Sequence, residues 1–360
     1  MMNRTADIAS RGFYWWYHEP SRVLMVAVAF GLGPRVAAEN LASQMRLTKH
    51  ELKWTCVSDR SLPDEIDVHL LVNFGVLDAA LHTRPRHCVW VDCVDWLRTS
   101  LPFHVHEYDL LLREAFFASH PSDRKGPISK WRDVQPLIWQ GRRDVHIDED
   151  LVVVSLGGLL TPYSTHVHAV DMPMAFLRGV AEAAKPLGKK VLAFLPDNLR
   201  NIAQSDTDIS ESITVCPSGR LAFRSALSKC GLLLCQPGLY TPFEAMSMSI
   251  PFAMAFPMSF TQAMQAARLS ALGAKLSPPR LDWLTPNQMA NANIEITETL
   301  WFESSNNGWQ EASTKAMRDE VVAFLRSVFE LPSCDLQVAY PYVSLRSATT
   351  EITHEQQTRQ

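Results

Sequence analysis

An apolar run, Leu232-Leu233-Leu234-Cys235, leads into Gln236-Pro237-Gly238-Leu239-Tyr240-Thr241-Pro242-Phe243-Glu244-Ala245, and this junction constrains the fold more than any other part of the chain. It reads as a strand, a tight glycine turn and a helix start. Thr241 suits the N-cap, Pro242 the first helical position, and Glu244 falls in the first turn. Backbone N–H groups at such a helix start point outward with partial positive charge, and Gly238 lets a ligand approach the main chain closely. The junction is therefore a candidate anion site that suits a phosphate or diphosphate.

The helix runs to Met248. It is followed by Ser249-Ile250-Pro251-Phe252-Ala253-Met254-Ala255-Phe256-Pro257 as a buried strand, then by Gln262 and a helix closing on Gly273. Gly238, Thr241, Glu244, Pro251, Pro257, Gln262 and Gly273 together resemble the donor domain of GT-B glycosyltransferases. The Pro-Gly turn is most similar to the branch containing the peptidoglycan GlcNAc transferase. The resemblance covers residues 155–275, about a third of the chain. It implies an α/β fold with two Rossmann-like domains facing across a cleft. It also implies metal-independent transfer of a sugar from a nucleoside-diphosphate donor, UDP-linked by preference, to a small or lipid-linked acceptor, with no further cofactor. Within the site it implies that Thr241 and the turn amides hold the diphosphate, with the Gly157-Gly158 turn facing it, that Glu244 takes the ribose hydroxyls, and that Gln262 contacts the sugar.

The chain departs from the family pattern at three places, one of them Gln236, where many relatives place His or Arg beside the turn. Many inverting members place a catalytic His just after the first glycine turn, where this chain has Gly33-Pro34-Arg35, and Thr261 stands where an acidic residue usually precedes the Gln. A general base must then come from elsewhere. Asp92, which follows the strand Val89-Trp90-Val91 toward a sheet edge, and Asp95 are the candidates, with His104 and His106 in reserve. Gly33 and Arg35 are the acceptor-side candidates. Two further readings keep the fold: a UDP-sugar hydrolase or epimerase, and a noncatalytic nucleotide-binding partner of another enzyme. An NAD-type dehydrogenase is disfavoured, because Gly31-Leu32-Gly33 lacks the third glycine of a dinucleotide fingerprint and position 36 is Val.

At 360 residues, with 47% hydrophobic and 20% charged residues, the chain suits two globular domains. A net charge of −4 with dispersed basic residues argues against nucleic acid as a partner. No apolar run reaches the roughly 18 to 20 residues of a membrane span, and residues 1–11 lack a signal-peptide core, so a cytoplasmic protein is expected. The seven cysteines are read as free, mostly buried thiols, and no spacing suggests a metal site.

The first domain is expected over 1–145, with strands at 22–30, 52–57, 68–74 and 88–94. A polar link at 140–149 then precedes a donor domain over 146–332, with strands at 151–156, 190–195, 213–216 and 232–235. An amphipathic helix is expected within 309–331 and a loosely ordered tail over 333–360. Phe13-Tyr14-Trp15-Trp16-Tyr17 is too aromatic to bury on one strand face. It is a candidate for peripheral membrane contact, a protein partner or an apolar acceptor pocket.

Overall fold

In the computed structural model of the chain, the described residues are 23–28, 36, 39–40, 50–55, 68–72, 87–92, 110–114, 116–117, 131–157, 167–217, 219–277 and 314–338. The chain divides into two compact units whose main boundary falls between Leu137 and Ile138. The polar link at 140–149 therefore belongs to the second unit. Arg143 holds it there, donating to the Ser249 carbonyl (2.9 Å), and Asp144 N–H donates to Ser228 O (2.9 Å).

The described strands of the first unit are β1 (Val23–Val28), β2 (His50–Thr55), β3 (Val68–Val72), β4 (His87–Asp92), β5 (Leu110–Glu114) and β6 (Trp131–Val134). All pair in parallel, in the order β2-β1-β3-β4-β5-β6. The last two were not expected. The β5 run Leu110-Leu111-Leu112 has the apolar character of a buried strand, whereas β6, Trp131-Arg132-Asp133-Val134, is an edge strand with charged residues and no apolar run to betray it.

The second unit's described strands are β7 (Asp148–Ser155), β8 (Lys190–Phe194), β9 (Ile213–Cys216), β10 (Cys230–Cys235), β11 (Phe252–Met254) and β12 (Lys275–Leu276). They are parallel too, in the order β12-β11-β10-β7-β8-β9. Read from β9, this is the 3-2-1-4-5-6 order of a doubly wound dinucleotide-type sheet, while the first unit begins 2-1-3-4-5, the other common doubly wound order. The chain is thus an α/β protein with two Rossmann-like sheets.

The reason β7 and β10 occupy the centre is in their composition. Val152, Val153 and Val154 of β7 and the whole of β10 are buried, so over this stretch neither strand shows a polar face to water. The β7/β10 register shifts between Cys230 and Leu232, and Gly231 lies in that irregularity. A Cβ there would stand 2.6 Å from the Glu149 carbonyl oxygen, so only glycine permits the two backbones to approach.

Helix α1 (Met172–Ala184) buries Phe176 against Phe256, with ring centroids 5.6 Å apart in an edge-to-face arrangement. The remaining described helices are α2 (Asp197–Ser205), α3 (Thr207–Ser210), α4 (Arg220–Lys229), α5 (Tyr240–Ser247), α6 (Phe260–Ala271) and α7 (Thr314–Glu330). Helix α7 presents Val321, Leu325 and Val328 to the same core as α1, and Gly179 lets the two helices close up, since a Cβ there would lie 2.7 Å from Val321 Cγ1. Residues 333–338, expected within the loose tail, are ordered instead. Ser333–Leu336 forms a 3-10 turn, and Leu336 and Val338 are buried while residues 333–335 and 337 are exposed. Residues 339–360 and the aromatic cluster at 13–17 lie outside the described residues.

Candidate nucleotide site

Strand order reverses once in the second sheet. From β7 the chain winds out to β8 and β9, then returns to β10 on the other side of β7. A crevice forms at such a switch point because the connections from the two strands leave in opposite directions, and open α/β sheets bind ligands there, outside the carboxyl ends of the strands. Both glycine turns singled out in the sequence leave the sheet at this place. Gly157 follows the end of β7, and Gly238 follows the end of β10. The two exits are tied side by side, because Gln236 N–H donates to the Ser155 carbonyl (3.2 Å).

Gly238 is half-buried, and among the described residues a Cβ there would meet only the Gln236 carbonyl, at 3.9 Å. The turn then enters α5. Leu239 already has helical backbone angles (φ −77°, ψ −42°), so the helix starts at Tyr240 rather than after Thr241. This corrects the expected N-cap. An N-cap residue needs extended angles, and Leu239, which occupies that place, offers no side-chain acceptor, so the helix start has no side-chain cap. Thr241, half-buried, lies in the first turn, where its hydroxyl and backbone N–H share the positive end of the helix.

Glu244 lies one turn further in, only 4% exposed. Its Oε1 accepts the backbone N–H of Trp139 at 3.0 Å. Burial pushes its pKa up from the ordinary 4.5, opposed by that hydrogen bond and by the charges of Arg224 and Arg220 on α4. The Trp139 ring is itself held. The Arg224 guanidinium carbon sits 4.8 Å from the ring centroid, and Gly141 lies so close that a Cβ there would be 2.5 Å from ring atom Cη2.

Gln262 ties down the start of α6, in an arrangement that differs from a capping box by one residue. The Ser259 hydroxyl accepts Gln262 N–H (3.2 Å), and Gln262 Oε1 accepts Met258 N–H (2.7 Å). Gly273 adopts φ +105° and ends this helix in the left-handed region that favours glycine.

No family model matches the chain, and no curated protein matches it. Solved structures similar to it include MurG of Acinetobacter baumannii (13% identity over 86% of this chain and 95% of that chain, TM-score 0.43). They also include Os79 from O. sativa in complex with U2F and trichothecene (12%, 86% and 95%, TM-score 0.47) and Arabidopsis thaliana UGT89C1 complexed with UDP-L-rhamnose (12%, 85% and 99%, TM-score 0.46).

In the first unit, Asp92 is the last residue of β4, at the carboxyl edge of its sheet, in register with Arg113 of β5. Gly33, Arg35, Asp95, His104, His106 and Gly158 lie outside the described residues. Sequence reasoning missed Glu114. This residue of β5 is 2% exposed and its Oε1 accepts the backbone N–H of Leu137 at 2.7 Å, while the Leu137 carbonyl accepts from Asn40 Nδ2. It also missed Trp139. The only local signal was an aromatic residue two positions before a glycine in an otherwise polar link.

Cys230 and Cys235 are free and buried, which pushes both thiols up, Cys230 to about 12, so neither is a nucleophile at neutral pH. Among the described residues no group of three or more His, Cys, Asp or Glu side chains could hold a metal, and no helix is long and apolar enough to cross a membrane.

Proposed function

We propose that the second unit binds a nucleoside diphosphate at the β7/β10 switch point, and that the protein is a metal-independent GT-B glycosyltransferase moving a sugar from a UDP-linked donor to a small or lipid-linked acceptor. The observation that carries this reading is the pair of glycine turns leaving adjacent strands at that point, with no described side chain over Gly238 and the uncapped start of α5 directly behind it. In sugar transfer the C1–O bond to the diphosphate breaks as the acceptor oxygen bonds to C1, and negative charge grows on the leaving diphosphate. Amides of the 238–241 turn and the positive end of α5 stabilise that charge without reorganising. The acceptor proton goes to a base, for which Asp92 at the carboxyl end of β4 is the candidate.

Calorimetric titration with UDP, GDP, ADP, TDP and NAD, with and without magnesium, tests the site. Binding of one diphosphate that does not need magnesium is expected, and no binding by any of them overturns the reading. Asp92→Asn should abolish transfer while leaving UDP affinity nearly intact, and an active variant removes Asp92 as the base.

One observation favours a second reading. Gln262, the residue that the family pattern assigns to the sugar, spends its Oε1 on Met258 N–H. A protein that holds the nucleotide but does not transfer the sugar would show UDP binding without turnover, whereas release of UDP without any acceptor would identify a hydrolase or epimerase.

A further inference from the structure

The geometry around Glu244 points to a self-inhibitory latch: we propose that residues 138–141 occupy the carboxylate that a bound nucleoside diphosphate needs for its ribose, so that the ligand engages Glu244 only when this segment lifts. The inference rests on the nucleotide reading above.

Three observations in the second unit carry it. First, the Glu244 carboxylate is enclosed, and the group bonded to its Oε1 is the Trp139 backbone N–H, a donor of the same kind as a ribose hydroxyl. Second, Trp139 is held at two points, by the Arg224 guanidinium over its ring and by the bare Cα of Gly141, so close to the ring that no other residue would fit there. Third, Arg224 and Arg220 are the charges acting on Glu244, and Arg224 is the residue that grips the indole. One guanidinium thus serves both the carboxylate and its cover.

Chemically, latch and ligand are exchangeable. A carboxylate accepting one N–H can accept one or two ribose O–H groups instead, so the fold does not need the latch to satisfy Glu244 once a diol is present. A ligand that must first displace the segment binds more weakly by the latch's own stability, and weakening the latch returns that affinity.

The test uses the full-length chain with UDP as the probe, in wild type, Trp139→Ala and the double variant Trp139→Ala/Glu244→Gln, each checked for cooperative unfolding. Trp139→Ala keeps the backbone N–H but removes the grip of Arg224 and Gly141. It should bind UDP roughly 10-fold more tightly than wild type, and the gain should vanish in the double variant. Hydrogen exchange of wild type should show the Trp139 amide protected without ligand and less protected at saturating UDP, the reverse of ordinary ligand protection. If wild type binds UDP and Trp139→Ala binds no more tightly, the latch falls while the nucleotide reading stands. If neither binds UDP, both fall.

Discussion

Strand β10 carries a glycine near each end, and the two do opposite things. At the amino end, Gly231 is pressed against the Glu149 backbone of β7, where even a methyl group has no room. At the carboxyl end, no described residue but Gln236 comes within 4 Å of where a Gly238 side chain would be. One glycine is required by the protein's own packing, while the other leaves room that no described residue fills. Open α/β sheets take their ligands at switch points in strand order, outside the carboxyl ends of the strands.

The sharpest way to break this comparison is to add the same methyl group at both ends. Gly231→Ala should destabilise the protein by about 1–3 kcal/mol, since the backbones of β7 and β10 must part to admit it. Gly238→Ala should leave stability within about 0.5 kcal/mol of wild type but weaken UDP binding by about 10-fold or more if the proposed diphosphate approaches the main chain there. Urea unfolding and calorimetry separate the two. If Gly238→Ala unfolds as easily as Gly231→Ala, the carboxyl-end turn is structural too. A smaller effect is expected from Arg143→Ala at the amino end. It removes the donor to the Ser249 carbonyl and should cost about 1 kcal/mol in the same unfolding experiment, with no change in UDP affinity.

At the carboxyl end the effect is one of slope. The Glu244 carboxyl has a folded pKa above its unfolded value near 4.5, so the folded state holds its proton to higher pH than the unfolded chain does. Stability from this group is fully present below that value and is lost as pH rises through the folded pKa. Glu244→Gln keeps an acceptor for Trp139 N–H but has no proton to lose. The difference in unfolding free energy, variant minus wild type, should therefore grow in the variant's favour as pH rises, and a pH-independent difference would contradict the assignment. Smallest of all, Ser249, which has φ +55° just after α5, should gain up to about 1 kcal/mol in thermal unfolding when changed to glycine.

The sequence exposed most of the second sheet because its central strands contain apolar runs, at 151–154 and 232–235, that alternate with helices carrying their own punctuation. Gly273, expected to close its helix, does so in the left-handed region. What stayed hidden was long-range. The hydrogen bond from Trp139 to Glu244 spans 105 positions, and no local pattern marks a glutamate whose partner is a backbone N–H that far away. Gln262 is different. Ser259-Phe260-Thr261-Gln262 has the spacing of a capping box as much as that of a sugar-binding motif, and the two readings compete for one side chain. Strand β6 was invisible because an edge strand with Arg132 and Asp133 at its centre has no hydrophobic signature. The helix start was misplaced by two residues, the scale at which helix starts are hardest to read.

The packing of α7 on α1 through Gly179 bears on how the chain is made. During synthesis, α1 and the strands it covers emerge long before Thr314, yet the apolar stripe that receives Val321, Leu325 and Val328 stays uncovered until α7 leaves the ribosome. A nascent chain stalled before α7 would therefore present this stripe to chaperones, and truncation ahead of Thr314 would produce a sticky polypeptide rather than a shorter working one.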